Sequence, residues 1–477
     1  MNQLTLFLPC AAGVETYLAT EVKRITGVAD EDLRAFRAGV MVRASWRDAM
    51  LLNLHSRLAQ RVLVELSHTF YRQEQDLYNA ACEVAWELWF SPKESFKIEI
   101  TAQHSPLKSL NFAALKIKDA VADRFRHKTG VRPDVNTQWP DARIYAHLTT
   151  ENLTLYIDTS GEPLFKRGWR ADKGDAPLKE TLAAAMLAAS GWSQGDGTAA
   201  NPDGLVAQGV PLYDPCCGSG TIAIEAAQIA CNIAPGSMRR FGFEKLVPYQ
   251  AHVWQGLLNN ARSQECAPRA PVFGSDVAFR MVDFAERNAE RGGVAHAVQL
   301  RGGDALQRMP PCEQPGIMLV NPPYGERIEA AGIAGAARRA RYAPPSEYVS
   351  PYEDVKRNGD AGFDDEAGYD NGMIRDDVPR FGARDIAQTE DGGDFFAQLA
   401  SHWKKNYAGW SAWMLTPDLK LPTRMRFKES RRVPMWNGPI ECRMFRFDLR
   451  AGSMRNKPND AQAPDAQQTE GKGPATS

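Results

Sequence analysis

The chain has 477 residues, 43% of them hydrophobic and 24% charged, with 57 Lys and Arg against 58 Asp and Glu. That length predicts about three domains, and the composition is that of an ordinary folded globular protein. No apolar run approaches the roughly 18 residues needed to span a bilayer, and a net charge of −1 leaves any nucleic-acid binding to local patches.

The opening residues, MNQLTLFLPCAAG, lack a basic n-region and a long apolar core, so no signal peptide is expected. Eight cysteines without a CxxC pair predict neither a disulfide framework nor a zinc site. A reducing cytoplasm is the expected setting, with no membrane and no metal involved.

Residues 1–60 read as a small α/β unit. Strands are expected at 4–8 and 39–43, and helices at 14–25 and 48–58. Residues 61–165 read as an α+β domain, with strands at 61–68, 95–101, 143–149 and 152–158 and helices at 75–89 and 111–128. The last of these helices is expected to bury Leu115, Ile117, Val121 and Phe125 and to expose Lys116, Lys118, Arg124 and Arg126. Residues 166–209 form a bridge with a basic start, Lys166-Arg167-Gly168-Trp169-Arg170. Pro177 sits near the first turn of its helix, and a Gly/Ser/Asn-rich loop follows.

From 210 to 450 strand and helix patterns alternate. Strands are expected at 210–213, 271–274, 297–300, 316–320, 409–415 and 441–447. This predicts a doubly wound, mostly parallel sheet. No helical pattern separates the last two strands, so the final one is expected to be antiparallel. Two stretches break the pattern and are expected to be disordered: an insert rich in Gly, Asp, Glu, Ala and Arg at 328–393, and a polar tail at 451–477.

Chemistry-bearing residues fall at strand ends, where open α/β sheets bind ligands. The first strand of this region ends in Asp214-Pro215-Cys216-Cys217-Gly218-Ser219-Gly220-Thr221. Glycines in such a turn let a ligand approach backbone N–H groups closely. A dinucleotide fold would want a third glycine and an acid about 20 residues on, and neither is present. The second strand ends at Asp276, a carboxylate able to hold both hydroxyls of a ribose. Asp304 follows the third and can accept from an adenine amino group. The fourth ends in Asn321-Pro322-Pro323-Tyr324. The Asn321 side-chain oxygen and the Pro322 carbonyl can accept hydrogen bonds from an exocyclic amine, and Tyr324 can stack on its ring. Taken singly, Asp276 or Asp304 reads more readily as a solvated turn aspartate, and Asn321–Tyr324 also reads as a strand-ending turn with a tyrosine on it. Four at consecutive strand ends define one cleft for an adenosine-bearing ligand beside a site for an amino-bearing ring.

These motifs resemble those of class I S-adenosylmethionine-dependent methyltransferases. The Asn-Pro-Pro-Tyr version is similar to that of enzymes methylating exocyclic or amide nitrogens. Upstream, LFLPCAAGVETYLATEV and LNFAALKIKDAVADRF resemble a ferredoxin-like domain followed by a THUMP RNA-binding domain. FKRGWR, APLKETLAAAML and NGPIECRMFRFDL fit the same family. Over most of 1–450 the chain resembles the large-subunit (23S) ribosomal RNA guanine-N2 methyltransferases, in the N-terminal part of the fused bacterial form. There a second module making 7-methylguanine follows. Here the guanine-N2 activity alone is implied.

The resemblance implies direct methyl transfer from S-adenosylmethionine to guanine N2. Asn321, Pro322 and Tyr324 are the implied catalytic residues. Asp214, Cys216, Gly218, Gly220, Thr221, Asp276, Asp304 and Asn321 are implied to bind the cofactor. The implied partner is 23S rRNA or an assembling large subunit. Two departures stand out: the acidic insert after Arg327, and Cys216-Cys217 where other small residues are common.

RNA contacts are expected from Lys116, Lys118, Arg167, Arg170, Lys428 and Arg431. The last two belong to a segment, 404–432, with eight basic residues against Asp418 and Glu429, enough for a phosphate-facing surface. The same segment also reads as a solvated loop, and Trp169 also reads as core. Methylation of tRNA guanine, or of DNA adenine or a protein amide, is the rival within the class. A non-catalytic RNA-binding protein and a nicotinamide oxidoreductase are the rivals outside it.

Overall fold

A computed structural model of the chain describes residues 3–174, 177–195, 198, 200–201, 203–322 and 392–450. The expected tail, nearly all of the expected insert, Pro323 and Tyr324 lie outside these residues.

The first sheet is built from β1 (Leu4–Pro9), β2 (Leu33–Phe36), β3 (Gly39–Ala44), β4 (Leu63–Phe70), β5 (Phe96–Ala102), β6 (Ala142–Leu148) and β7 (Asn152–Asp158). Helices α1 (Glu15–Thr26), α2 (Trp46–His55), α3 (Glu74–Glu83) and α4 (Leu110–Thr129) connect them. Local chemistry sets these helix ends. Ser45 and Asp48 form a reciprocal capping box on α2, and Gly130 closes α4 at φ 75°, where a side chain would strain the backbone.

The two N-terminal units expected from the sequence share one sheet. Its order is β2-β3-β1-β4-β7-β6-β5, joined through Leu6↔Val64 and Phe7↔Leu63. The expected face of α4 needs one correction. Ala113, Ile117, Ala120, Val121 and Phe125 are buried, whereas Leu115 is half exposed. Two residues along a helix turn about 200°, so Leu115 and Ile117 cannot share a face.

Then come α5 (Glu180–Ala189), β8 (Leu212–Asp214), α6 (Thr221–Ala230), α7 (Ala251–Ser263), β9 (Val272–Asp276), α8 (Phe279–Arg291), β10 (Val298–Gly302) and β11 (Ile317–Val320). After the undescribed stretch follow α9 (Gly392–Asn406), β12 (Ser411–Thr416), α10 (Leu421–Met425), β13 (Arg431–Asn437) and β14 (Ile440–Asp448). The second sheet runs β10-β9-β8-β11-β12-β14-β13. Its first five strands are parallel, and β14 enters antiparallel to β12. That bears out the doubly wound reading and the antiparallel last strand. The expectation that no helix separates the last two strands needs correction, because the short helix α10 and the strand β13 lie between them. Arg431 and Arg432 therefore stand on an edge strand rather than in a loop.

Every residue of β11 is buried, as expected of a strand covered on both faces. Ile317 and Leu319 join a core shared with the N-terminal sheet, while Met318 and Val320 face the other way, with Leu399, Trp403 and Met414. The N-terminal unit also covers part of the edge strand β13, which limits edge-to-edge pairing. The Trp436 N–H donates to the Ala12 carbonyl at 3.2 Å. A Cβ on Gly13 would lie 2.3 Å from the Pro434 carbonyl oxygen, so only glycine permits that approach.

Candidate active site

Asp214, Asp276, Asp304 and Asn321 lie at one edge of the second sheet. Asp214 closes β8 and is 1% exposed. Its Oδ1 accepts the Cys216 N–H at 3.1 Å. Burial pushes its carboxyl up to about 8, and the nearby Asp276 charge adds to that rise. Gly218 and Gly220 take positive φ, 53° and 89°. A Cβ on Gly220 would lie 2.9 Å from Ala285 Cβ, whereas one on Gly218 would meet open space. Gly220 thus seats α6 against α8, and at Gly218 the space that a side chain would take is open.

The loop's N–H groups are largely turned inward, contrary to the expectation that they would face a ligand. Cys217 donates to the Ser275 carbonyl at 2.9 Å and Gly218 to Asp276 Oδ2 at 2.9 Å. Cys217 is buried beneath the loop and Cys216 is half-buried. Gly274 makes that packing possible, since a Cβ there would lie 2.8 Å from Leu300 and 3.3 Å from Cys217 Cβ.

Asp276 ends β9. Its Oδ1 accepts the Ala278 N–H at 2.9 Å, so both oxygens are held in place by backbone donors. Burial raises its pKa above the ordinary carboxylate range. The Gly303 N–H donates to the Asp276 carbonyl at 2.9 Å and ties in the third loop. There Asp304 Oδ1 accepts the Leu306 N–H at 2.9 Å. Beneath these loops Tyr213 and Ser275 bond through their hydroxyls at 2.7 Å. The Tyr407 ring lies parallel to Tyr213 at 6.4 Å, and its hydroxyl donates to the Arg308 carbonyl at 2.8 Å.

Asn321 follows β11 and is half-buried, with Pro322 buried beside it. The register Met318↔Tyr213 carries Asn321 to the level of the loop after Asp214.

Sequence reasoning missed Phe279. It is 80% exposed, and its ring covers Gly302, where a Cβ would lie 2.6 Å from the ring. An apolar ring thus stands between Asp276 and Asp304, suited to cover a planar base. Its spacing to Val282, three residues on, is that of a core position as much as of an exposed one.

Two expected RNA contacts are corrected. Arg167 is 1% exposed; its Nε donates to Glu225 Oε1 at 3.0 Å, and Arg57 donates to the other oxygen at 2.9 Å. Arg170 points inward to Glu180, Ser219 and Thr221. Trp169 is core. Lys116 lies over Phe112 at 5.6 Å and Lys118 pairs with Asp119 at 3.0 Å, both toward the surface. Lys428 and Arg431 are exposed, with the Arg431 guanidinium 6.0 Å from the Trp413 ring. Among the described residues no group of three His, Cys, Asp or Glu is placed to hold a metal ion, and no helix is long and apolar enough to cross a membrane. All eight cysteines are free thiols.

Comparison with known proteins gives three domain matches. Residues 5–63 match the RlmL ferredoxin-like domain, 71–158 the THUMP domain, and 167–336 the RMKL-like methyltransferase domain. The chain carries an RMKL-like methyltransferase domain behind a THUMP domain. The ribosomal RNA large subunit methyltransferase K/L of Psychromonas ingrahamii is 32% identical over 447 residues, 92% of this chain and 49% of that protein. Its counterpart in Shewanella loihica is 34% identical over 457 residues, 95% of this chain and 54% of that protein. The chain thus spans about half the length of the curated relatives it matches. Among solved structures, SMU.472 complexed with SAH superposes with a TM-score of 0.71 at 22% identity, covering 95% of this chain and all of that one. TrmN from Thermus thermophilus gives 0.56 at 16% identity, over 94% and 99% of the two chains. At those identities the likeness is one of fold. The RMKL-like match runs from residue 167 to 336, so it takes in the basic bridge and the strands β8 to β11.

Proposed function

We propose that this chain methylates the exocyclic N2 of a guanine in large-subunit ribosomal RNA, using S-adenosylmethionine. The observation that carries this reading is the gathering of Asp214, Asp276, Asp304 and Asn321 at one sheet edge, beside the open space at Gly218. The relatives, named as ribosomal RNA large subunit methyltransferases, support the RNA class.

The residues fit the cofactor. Gly218 and Asp214 would border its methionine end, with Gly220, Cys216 and Thr221 shaping the loop. The oriented Asp276 carboxylate would hold the ribose hydroxyls. Phe279 would cover the adenine face, and Asp304 would accept from its amino group. When bound, the sulfonium supplies an activated methyl group that carries its own leaving group. The protein's part is therefore positioning and electrostatics. The Asn321 oxygen and the Pro322 carbonyl accept from guanine N2 and turn its lone pair toward the methyl. The nitrogen becomes strongly acidic on methylation, so the reaction asks for no strong base. Tyr324, outside the described residues, would stack on a base withdrawn from its helix at a cost of a few kcal/mol. Lys116, Lys118, Lys428 and Arg431 would meet RNA phosphates. The setting is cytoplasmic, where the large subunit is assembled.

The test is methyl transfer from labelled S-adenosylmethionine to rRNA from a strain lacking this protein, followed by nucleoside analysis. 2-Methylguanosine in the large-subunit RNA is expected. Label in tRNA instead would overturn the partner. A different methylated nucleoside would overturn the N2 assignment.

A further inference from the structure

Arg170 leaves the basic bridge and enters the cofactor loop. Its Nε donates to Glu180 Oε1 at 2.7 Å, its Nη1 to Ser219 Oγ at 3.0 Å, and its Nη2 to Thr221 Oγ1 at 2.7 Å. The guanidinium lies 5.0 Å from the ring of the buried Trp169. The Arg170 side chain is 13% exposed and that of Glu180 is 4%. The site is electrostatically unusual. Thr221 opens α6, and a helix N-terminus disfavours a cation. Glu180 offsets that cost, and what Arg170 obtains there is a fixed pair of hydroxyls.

A second thread runs parallel. Asn288, fully buried on α8, donates to the Ser219 carbonyl at 3.0 Å and to the Asp172 carbonyl at 2.8 Å. Its Oδ1 accepts the Ala171 and Asp172 N–H groups, both at 3.3 Å. Arg291 closes this thread on Asp172. Three residues before Arg170, Arg167 pins the bridge to Glu225 on α6 and donates to the Arg57 carbonyl of the N-terminal unit.

We propose that Arg170 is a positioning residue for the cofactor loop, a clamp through which the bridge from the RNA-binding half holds Ser219 and Thr221 in their ligand-ready geometry. The inference rests on the reading of this loop as the S-adenosylmethionine site. A planar fork suits the task, because it reaches two hydroxyls and a carboxylate at once, which a lysine ammonium does not.

The test uses the full chain and three readouts: amide hydrogen exchange over 216–222, affinity for S-adenosylhomocysteine, and affinity for large-subunit rRNA at two salt concentrations. Arg170→Ala is expected to speed loop exchange and to weaken S-adenosylhomocysteine by about tenfold, the worth of one charge-assisted hydrogen bond. RNA affinity and its salt dependence stay unchanged. Arg170→Lys recovers only part of the loss. Thr221→Val keeps the side-chain shape, removes the acceptor and reproduces part of the loss in a fold with Arg170 intact. Added to Arg170→Ala, it costs less than it does alone. Unaltered loop exchange in Arg170→Ala overturns the proposal, as does a loss confined to RNA affinity, which would make Arg170 a phosphate contact. A parent chain that binds no S-adenosylhomocysteine, while Arg170→Ala still loosens the loop, refutes the cofactor reading and leaves the clamp standing.

Discussion

The Gly218 N–H donates to the Asp276 carboxylate at 2.9 Å, so the first strand-end loop is hung on the acid that ends the second strand. On the proposed reading one carboxylate serves two tasks: it shapes the glycine loop and would present its remaining lone pairs to a ribose. Asp276→Ala removes both, and Asp276→Asn keeps an oxygen for Gly218 without the charge. Affinity for S-adenosylhomocysteine, measured by calorimetry, is expected to fall in the order parent, Asn, Ala, with Ala down by about tenfold or more. Equal affinity of parent and Ala variant would place the ribose elsewhere.

Phe279 offers a cleaner probe, because its ring is exposed and holds little of the core together. Phe279→Ala is expected to weaken S-adenosylhomocysteine by about 1–3 kcal/mol, the usual worth of an aromatic ring stacked on a base. Its thermal unfolding should stay within about 0.5 kcal/mol of the parent. A large loss of stability with unchanged affinity would make the ring structural.

Asn321 separates chemistry from cofactor binding. Asn321→Ala is expected to lower kcat by about 10²–10³-fold, in line with removal of one oriented polar group from a reaction centre, while S-adenosylhomocysteine affinity moves only slightly. Retention of kcat would remove Asn321 from the reaction.

Asp214 predicts a pH dependence. Burial lifts its carboxyl from an ordinary 3.8 to about 8 in the fold. Between those values the folded chain holds a proton that the unfolded chain has released, so stability falls as pH rises across that window. The melting temperature of the cofactor-free parent should therefore decline more steeply from pH 5 to pH 8 than that of Asp214→Asn, which keeps an acceptor for the Cys216 N–H. Matching slopes would mean that the carboxyl is already ionised in the fold.

The basic residues divide into two sorts, and salt tells them apart. Arg431→Gln is expected to reduce the slope of log Kd for rRNA against log salt by about 0.7–0.9, one phosphate contact, with stability retained. Arg167→Gln should leave that slope alone and destabilise the fold by about 3–5 kcal/mol, because it breaks a buried pair with Glu225. The opposite pattern would return Arg167 to the RNA surface.

Much of the candidate site was legible in the sequence. Asp214 and Asn321 each stop an apolar run, Asp276 and Asp304 follow shorter ones through Gly274-Ser275 and Gly302-Gly303, and a strand that ends in a polar residue marks itself locally. The glycines of the loop announced a tight turn for the same reason. Phe279 was not legible, because helical spacing to Val282 is the same whether the ring enters the core or stands off the helix end. The edge strand β13 was hidden by its charge, since Arg431 and Arg432 read as loop until Val433 and Met435 are seen packing beneath them.

Strand and helix periodicity, the parallel sheet and the four strand-end motifs were determined by the sequence alone, since each depends on residues within a turn or two of one another. Only the tertiary structure decided which charges meet water. Arg167 and Lys428 are alike as residue types, but the partner of Arg167 lies 58 residues away on another element. Burying a charge is tolerable only when distant chain brings its counter-ion and hydrogen bonds to it, and that pairing is written in the fold rather than in the neighbouring residues.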